Sequence, residues 1–80
     1  MNKHTNKEFE KFKIAIGEQI AELRKDAGFS QGQLARMINV NQGTISRLES
    51  GVTQDPPVKL IFDCLDILRH KFEFELKSKD

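Results

Sequence analysis

Two helix-start signals eleven residues apart, Ser30 and Asn41, constrain this 80-residue chain more than any other feature in it. Ser30 is followed three positions later by Gln33, the pairing in which a hydroxyl and an amide side chain each satisfy a free backbone N–H. Phe29 and Leu34 stand at the two positions of a hydrophobic staple across that start. The segment so opened is short, Gln31 to Ile38, and is expected to bury Leu34, Ala35 and Ile38. Asn41 opens the next segment, Gln42 to Glu49, and Val40 with Ile45 repeats the staple. Asn39-Val40-Asn41 connects the two. Asn39 is one of the few non-glycine residues that tolerate the positive φ a tight turn demands, and Ser50-Gly51 closes the second segment.

Two short capped helices joined by so tight a turn form a helix-turn-helix, and the remaining segments frame it. Upstream, Phe9, Phe12, Ile16, Ile20, Leu23 and Ala27 recur at helical spacing and mark one apolar face. Gly17 interrupts that pattern, either dividing an extension from the first core helix or allowing close packing. Gly28 is placed to end the helix in the left-handed conformation. Downstream, Val52 to Pro56 reads as a loop, and Pro57 suits the first turn of a fourth helix. Its inner face is expected at Val58, Ile61, Phe62, Leu65 and Leu68.

After Arg69-His70 the period changes. Phe72, Phe74 and Leu76 alternate with Glu73, Glu75 and Lys77, the two-residue repeat of a half-buried strand. A lone strand leaves its backbone groups unmatched, and the chain offers no second one. The expectation is pairing with the same strand of a second copy about a two-fold axis; the alternatives are that helix four continues or that the tail is disordered. The fold class expected is therefore an all-α bundle of four to five helices around a helix-turn-helix, with a short carboxy-terminal β-strand pairing across a dimer.

Composition limits function more than fold. Thirteen basic and twelve acidic residues give a formal charge of +1, so the overall balance does not single out a nucleic-acid ligand, and placement matters more than the sum. The amino end is mildly basic, with Lys3, Lys7, Lys11 and Lys13 against Glu8 and Glu10. The single cysteine, Cys64, excludes an internal disulfide and reads as a small buried hydrophobe in an apolar helical stretch. No signal peptide and no apolar run near the ~20 residues of a bilayer span is seen, which points to a cytoplasmic chain. His4 and His70 lack a Cys, Asp or Ser partner at motif spacing, and no Gly-rich phosphate loop or metal-ligand cluster occurs. An enzyme is not expected, nor a cofactor.

The outward residues of the second helix of the pair have a chemistry that suits base edges. Ile45 and Leu48 face inward, leaving Gln42, Gly43, Thr44, Ser46, Arg47 and Ser50 outside or on the flanks. Gln bonds adenine bidentately, Arg takes guanine N7 and O6, and Thr meets a thymine methyl or a phosphate, while Gly43 lets a backbone approach. Lys59, Arg36 and the amino-terminal lysines are candidate phosphate contacts, although a solvated surface role is the commoner fate of each.

The run from Ser30 to Gly51, with "IAELRKDAGFSQGQLA" and "ISRLESG", resembles the Cro/C1-type (XRE) helix-turn-helix family, and the likeness extends from about Ile16 to Leu68. The resemblance implies a lambda-repressor-like DNA-binding domain whose third helix enters the major groove of double-stranded operator DNA. By position it implies a DNA-binding set of Gln31, Asn41, Gln42, Gly43, Thr44, Ser46 and Arg47, with Gln31 clamping a phosphate. It also implies a largely buried ion pair of Arg24 with Glu49, a structural rather than functional feature. Asn39 departs from the glycine common at the turn, a departure that its tolerance of positive φ explains.

The carboxy-terminal "HKFEFELK", read as a strand after helix four, resembles the HipB-like antitoxins, which implies a homodimer and a HipA-like kinase toxin as partner. The expected function is thus a sequence-specific repressor, bacterial or phage-encoded, acting as an autoregulatory antitoxin. The alternatives are a stand-alone phage-type or restriction-controller repressor, and an interaction module that has lost DNA binding. The expected organisation is an extension over 1–13, the DNA-binding domain over 14–70 and a dimerisation strand with tail over 71–80.

Overall fold

The computed structural model describes residues 7–53 and 58–78, with side chains described as far as Lys71. The described residues form four helices: α1 (Lys7–Asp26), α2 (Gln31–Ile38), α3 (Gln42–Ser50) and α4 (Val58–Ser78). α3 packs against α1 and α2, and α4 covers α1 and α2. The core between them is Ile20, Leu34, Ala35, Ile45, Leu48, Leu60, Cys64 and Leu68.

The local signals of α2 and α3 act as expected. Ser30 Oγ accepts from the Gln33 amide at 3.0 Å, and the Ser30 amide donates to Gln33 Oε1 at 2.7 Å, completing the capping box. Asn39 ends α2 at φ 68°, its amide and that of Val40 returning to the carbonyls of Arg36 and Ala35. Asn41 Oδ1 caps α3 by accepting from the Thr44 amide at 3.0 Å. Gly51, at φ 74°, ends it. Leu34 and Ala35 are buried in α2 and Ile45 and Leu48 in α3, with Ile38 partly buried against the core.

The carboxy-terminal strand is not formed. α4 runs unbroken from Val58 to Ser78, so Phe72 to Leu76 are helical, and no strand is present among the described residues. The two-residue alternation coexists with a four-residue one, because Leu68, Phe72 and Leu76 are also spaced as one helix face. A helix satisfies its backbone groups within its own segment, whereas the strand needed a second chain to do so. Among the described residues the bundle accordingly has four helices and no strand. The Pro57 helix start and part of the Val52–Pro56 loop fall on residues 54–57, outside the described residues.

The flanking helices are partly rotated from their expected faces: Ile16, Ile20, Ala27, Ile61, Leu65 and Leu68 meet the core as expected, and the other residues of those faces do not. α1 is continuous through Gly17, so the boundary expected after Lys13 falls inside a helix. Its buried residues are Lys13, Gly17, Ile20 and Arg24, while Phe9, Phe12 and Leu23 are exposed. A Cβ on Gly17 would meet the carbonyl oxygens of Leu48 and Glu49, the latter at 2.7 Å. Gly17 therefore marks the close approach of α1 to the end of α3, which settles its role as packing. In α4 the buried residues are Leu60, Cys64 and Leu68, with Ile61, Leu65 and Ile67 partly buried against the core; Val58 and Phe62, expected inside, are exposed.

Candidate nucleic-acid interface

The outward face of α3 is polar because its inward face is committed to the core. Ile45 and Leu48 are buried, which turns Gln42, Gly43, Ser46 and Arg47 to the surface and leaves Thr44 half-buried. Asn41 is exposed, yet its Oδ1 is engaged by both the amide and the hydroxyl of Thr44, each at 3.0 Å. Those two residues fix the start of the helix as much as they furnish its surface. Ser50 Oγ donates to the Ser46 carbonyl at 2.8 Å, so Ser50 turns back onto its own helix. Arg47 folds back along α3, since a Cβ on Gly43 would lie 3.3 Å from Arg47 Nη1. The missing side chain of Gly43 thus makes room for a guanidinium rather than leaving bare backbone.

Beneath this face lies a polar connection to the core. Arg24 meets Glu49 through two hydrogen bonds, Nε to Oε2 at 2.6 Å and Nη2 to Oε1 at 3.0 Å. Arg24 Nη1 also donates to the Phe29 carbonyl at 2.8 Å, fixing the α1–α2 corner. The two side chains are only 10% and 6% exposed, so the pair is the buried tie between α1 and α3 that the family resemblance implied. The Glu49 hydrogen bond raises the Arg24 pKa against the effect of burial. Burial by itself would raise the Glu49 pKa, but hydrogen bonds from Arg24 and Gln31 and the nearby positive charge hold it below the ordinary carboxylate value.

Gln31 sits at the junction. Its Nε2 donates to Glu49 Oε1 at 3.0 Å, and its Oε1 accepts from Gln42 Nε2 at 3.5 Å. Gln31 and, through it, Gln42 are therefore linked to the buried carboxylate. Sequence reading placed Gln31 only at the start of α2; its contact with Glu49 has no local signal, because the two are 18 positions apart.

Several candidate phosphate contacts already have partners. Lys59 Nζ lies 2.7 Å from Asp63 Oδ2 and Lys11 Nζ 4.0 Å from Glu8. Lys13, expected at the surface, is instead buried, 3.1 Å from Glu10 and over the Phe9 ring, so its ammonium is already paired and withdrawn from solvent. Lys3 lies outside the described residues. Arg36 remains exposed on α2 beside Phe29, Gln33 and Met37. Cys64 is buried and its thiol is pushed up to about 11, chiefly by burial, so it packs as a neutral thiol. Among the described residues no cluster of His, Cys, Asp or Glu has the arrangement of a metal site, and no helix is long and apolar enough to cross a membrane.

A helix-turn-helix family model matches residues 20–72, more than half of the chain and the whole of the α2–α3 unit. The protein belongs to the helix-turn-helix family of Cro/C1 type. Membership makes it a DNA-binding regulator of transcription. No curated protein and no solved structure matches the chain.

Proposed function

We propose that this helix-turn-helix protein is a homodimeric, sequence-specific repressor that binds double-stranded operator DNA through α3. The observation that carries the reading is the exposed set Gln42, Gly43, Ser46 and Arg47 on a helix whose opposite face is locked by Ile45, Leu48 and the Arg24–Glu49 pair. Gln42 and Arg47 supply the bidentate donors for adenine and guanine edges. Asn41 and Thr44 hold the amino end of α3 at the groove, Ser46 adds a hydroxyl, and Gln31 with the amides opening α2 receives a phosphate. Two copies present two such helices to half-sites about 34–36 Å apart.

The HipB-like antitoxin reading drew its support from the carboxy-terminal strand. With that segment helical, a HipA-like kinase partner has no feature of this chain left to recommend it, and the stand-alone repressor is the better reading. Loss of DNA binding is disfavoured by the intact polar face of α3.

Selection of bound sequences from random duplex DNA tests the proposal, because it reports specificity and half-site spacing together. On the selected site Arg47→Ala should cost about 1–3 kcal/mol of binding free energy. An equal loss on scrambled DNA would reduce Arg47 to a phosphate contact. No enrichment at all would leave α3 without a base-reading role.

A further inference from the structure

α4 is apolar on two sides, and its own domain uses only one. Leu60, Cys64 and Leu68 enter the core. On the outer side Val58, Phe62, Leu65 and Arg69 follow one another at intervals of four, three and four, and Phe72 and Leu76 continue that interval in the sequence. Val58 is 65% exposed and Phe62 64%, Arg69 is exposed, and Leu65 is half-buried, one side of it against the core and the other on the stripe. Apolar residues repeating every three and four positions form the seam by which one helix lies along another. Leu23 of α1 joins Phe62, Leu65, Asp66 and Arg69 around an open groove of about 370 Å³ beside this seam.

We propose that this stripe is the interface of the homodimer: two α4 helices pack antiparallel about a two-fold axis, and Arg69 of each copy meets the partner's Asp66. The inference rests on the reading of the protein as a homodimer, and supplies the surface that the absent strand no longer provides. A second copy is indicated as occupant by charge. At the middle of the seam, among the described residues, an acid and a base stand three positions apart: Asp66 Oδ1 lies 3.8 Å from Arg69 Nη2 within the helix, and 3.8 Å from His70 Nδ1 on the side away from the stripe's apolar residues. A surface that meets itself across a two-fold axis must be its own complement, and an acid–base pair at the middle of the seam meets that condition.

The same residues select the orientation. In a parallel pair, Arg69 would stand level with the partner's Arg69 and the like charges would repel. In the antiparallel pair, centred midway between Leu65 and Arg69, each Arg69 stands level with the partner's Leu65 and next to the partner's Asp66. Phe62 and Val58 then face the far half of the partner helix, where the heptad spacing continues in the sequence. The stripe belongs to α4, which packs on α1 and α2, so it contains none of the outward residues of α3.

Sedimentation equilibrium of the full chain without DNA, over a dilution series, tests the proposal. The wild-type protein should show the mass of two chains, and Phe62→Asp the mass of one with its helical circular dichroism retained. Asp66→Arg and Arg69→Asp should each associate about tenfold more weakly than wild type. Mixed in equal amounts, these two variants should form a heterodimer at least about tenfold tighter than either forms with itself, because opposite charges then meet at both crossings. Mixing cannot rebuild an ion pair within one helix, so that gain reports contact between copies.

A wild-type mass of one chain throughout, a two-chain mass for Phe62→Asp, or no gain on mixing would overturn the interface. Operator binding is read separately. A dimer that enriches no DNA sequence sinks the repressor reading and leaves the interface standing, whereas a one-chain species that binds an operator sinks the interface alone.

Discussion

The α2–α3 unit and the pair formed by α1 and α4 are held by different kinds of information. Each helix of the unit is bounded by residues whose effect is local. Ser30 and Gln33 close one start, Asn41 another, and Asn39 and Gly51 supply the left-handed stops. These interactions join residues a few positions apart, so they form in the same way wherever the unit is docked. α1 and α4 carry apolar residues on more than one side, and which side is buried depends on what packs against them. Gly17 and Arg24 draw α1 towards α3, and that contact turns Phe9 and Phe12 out to solvent. Short helices are thus specified by their ends, and long amphipathic ones by their neighbours.

The largest expected effect breaks the tie between the two regions. Glu49→Ala leaves Arg24 buried without its partner and should cost about 3–5 kcal/mol in urea unfolding. A loss below about 1 kcal/mol would mean that the pair is no more than a surface contact. Its pH dependence sharpens the same point. The folded protein holds the Glu49 pKa below its ordinary value, so the carboxylate's contribution is fully present above the unfolded pKa and is lost as pH falls through the folded one. Wild-type stability should therefore decline through the acidic carboxylate range, and Glu49→Gln should flatten part of that decline.

A smaller effect probes the approach of α1 to α3. Gly17→Ala gains about 1 kcal/mol of helix propensity but places a methyl against two backbone carbonyls that cannot swing aside. The net result should be a loss of about 1–3 kcal/mol by thermal unfolding. Neutral or higher stability would show that the two helices can separate there at no cost.

The smallest effect separates the sequence pattern from the packing. A core phenylalanine truncated to alanine costs about 3–5 kcal/mol, whereas a surface change stays within about 0.5 kcal/mol. Phe12 belongs to the apolar face by spacing but is 51% exposed, so Phe12→Ala should fall in the second range. A core-sized loss would restore the face expected from periodicity.

Much of the candidate interface was legible in advance because a recognition helix is short and strongly patterned. Ile45 and Leu48 can only point inward, which puts Gln42, Gly43, Ser46 and Arg47 outside. The contact of Gln31 with Glu49 and the folding of Arg47 over Gly43 were not legible, since each depends on side-chain placement in three dimensions. The alternation of Phe72, Phe74 and Leu76 misled because Leu68, Phe72 and Leu76 satisfy a helix equally well. A short apolar run carries both periods, and continuity with the helix before it decides between them.

By itself the sequence determined the helix-turn-helix, its caps, its turn and the polar face of α3, all of which follow from interactions within a few residues. Tertiary structure decided how α1 and α4 are rotated, where the buried ion pair ties the bundle, and that the carboxy-terminal segment remains helical. The reason is range. Caps and turns bring their partners with them along the chain, while burial is settled only when a second surface arrives to exclude water.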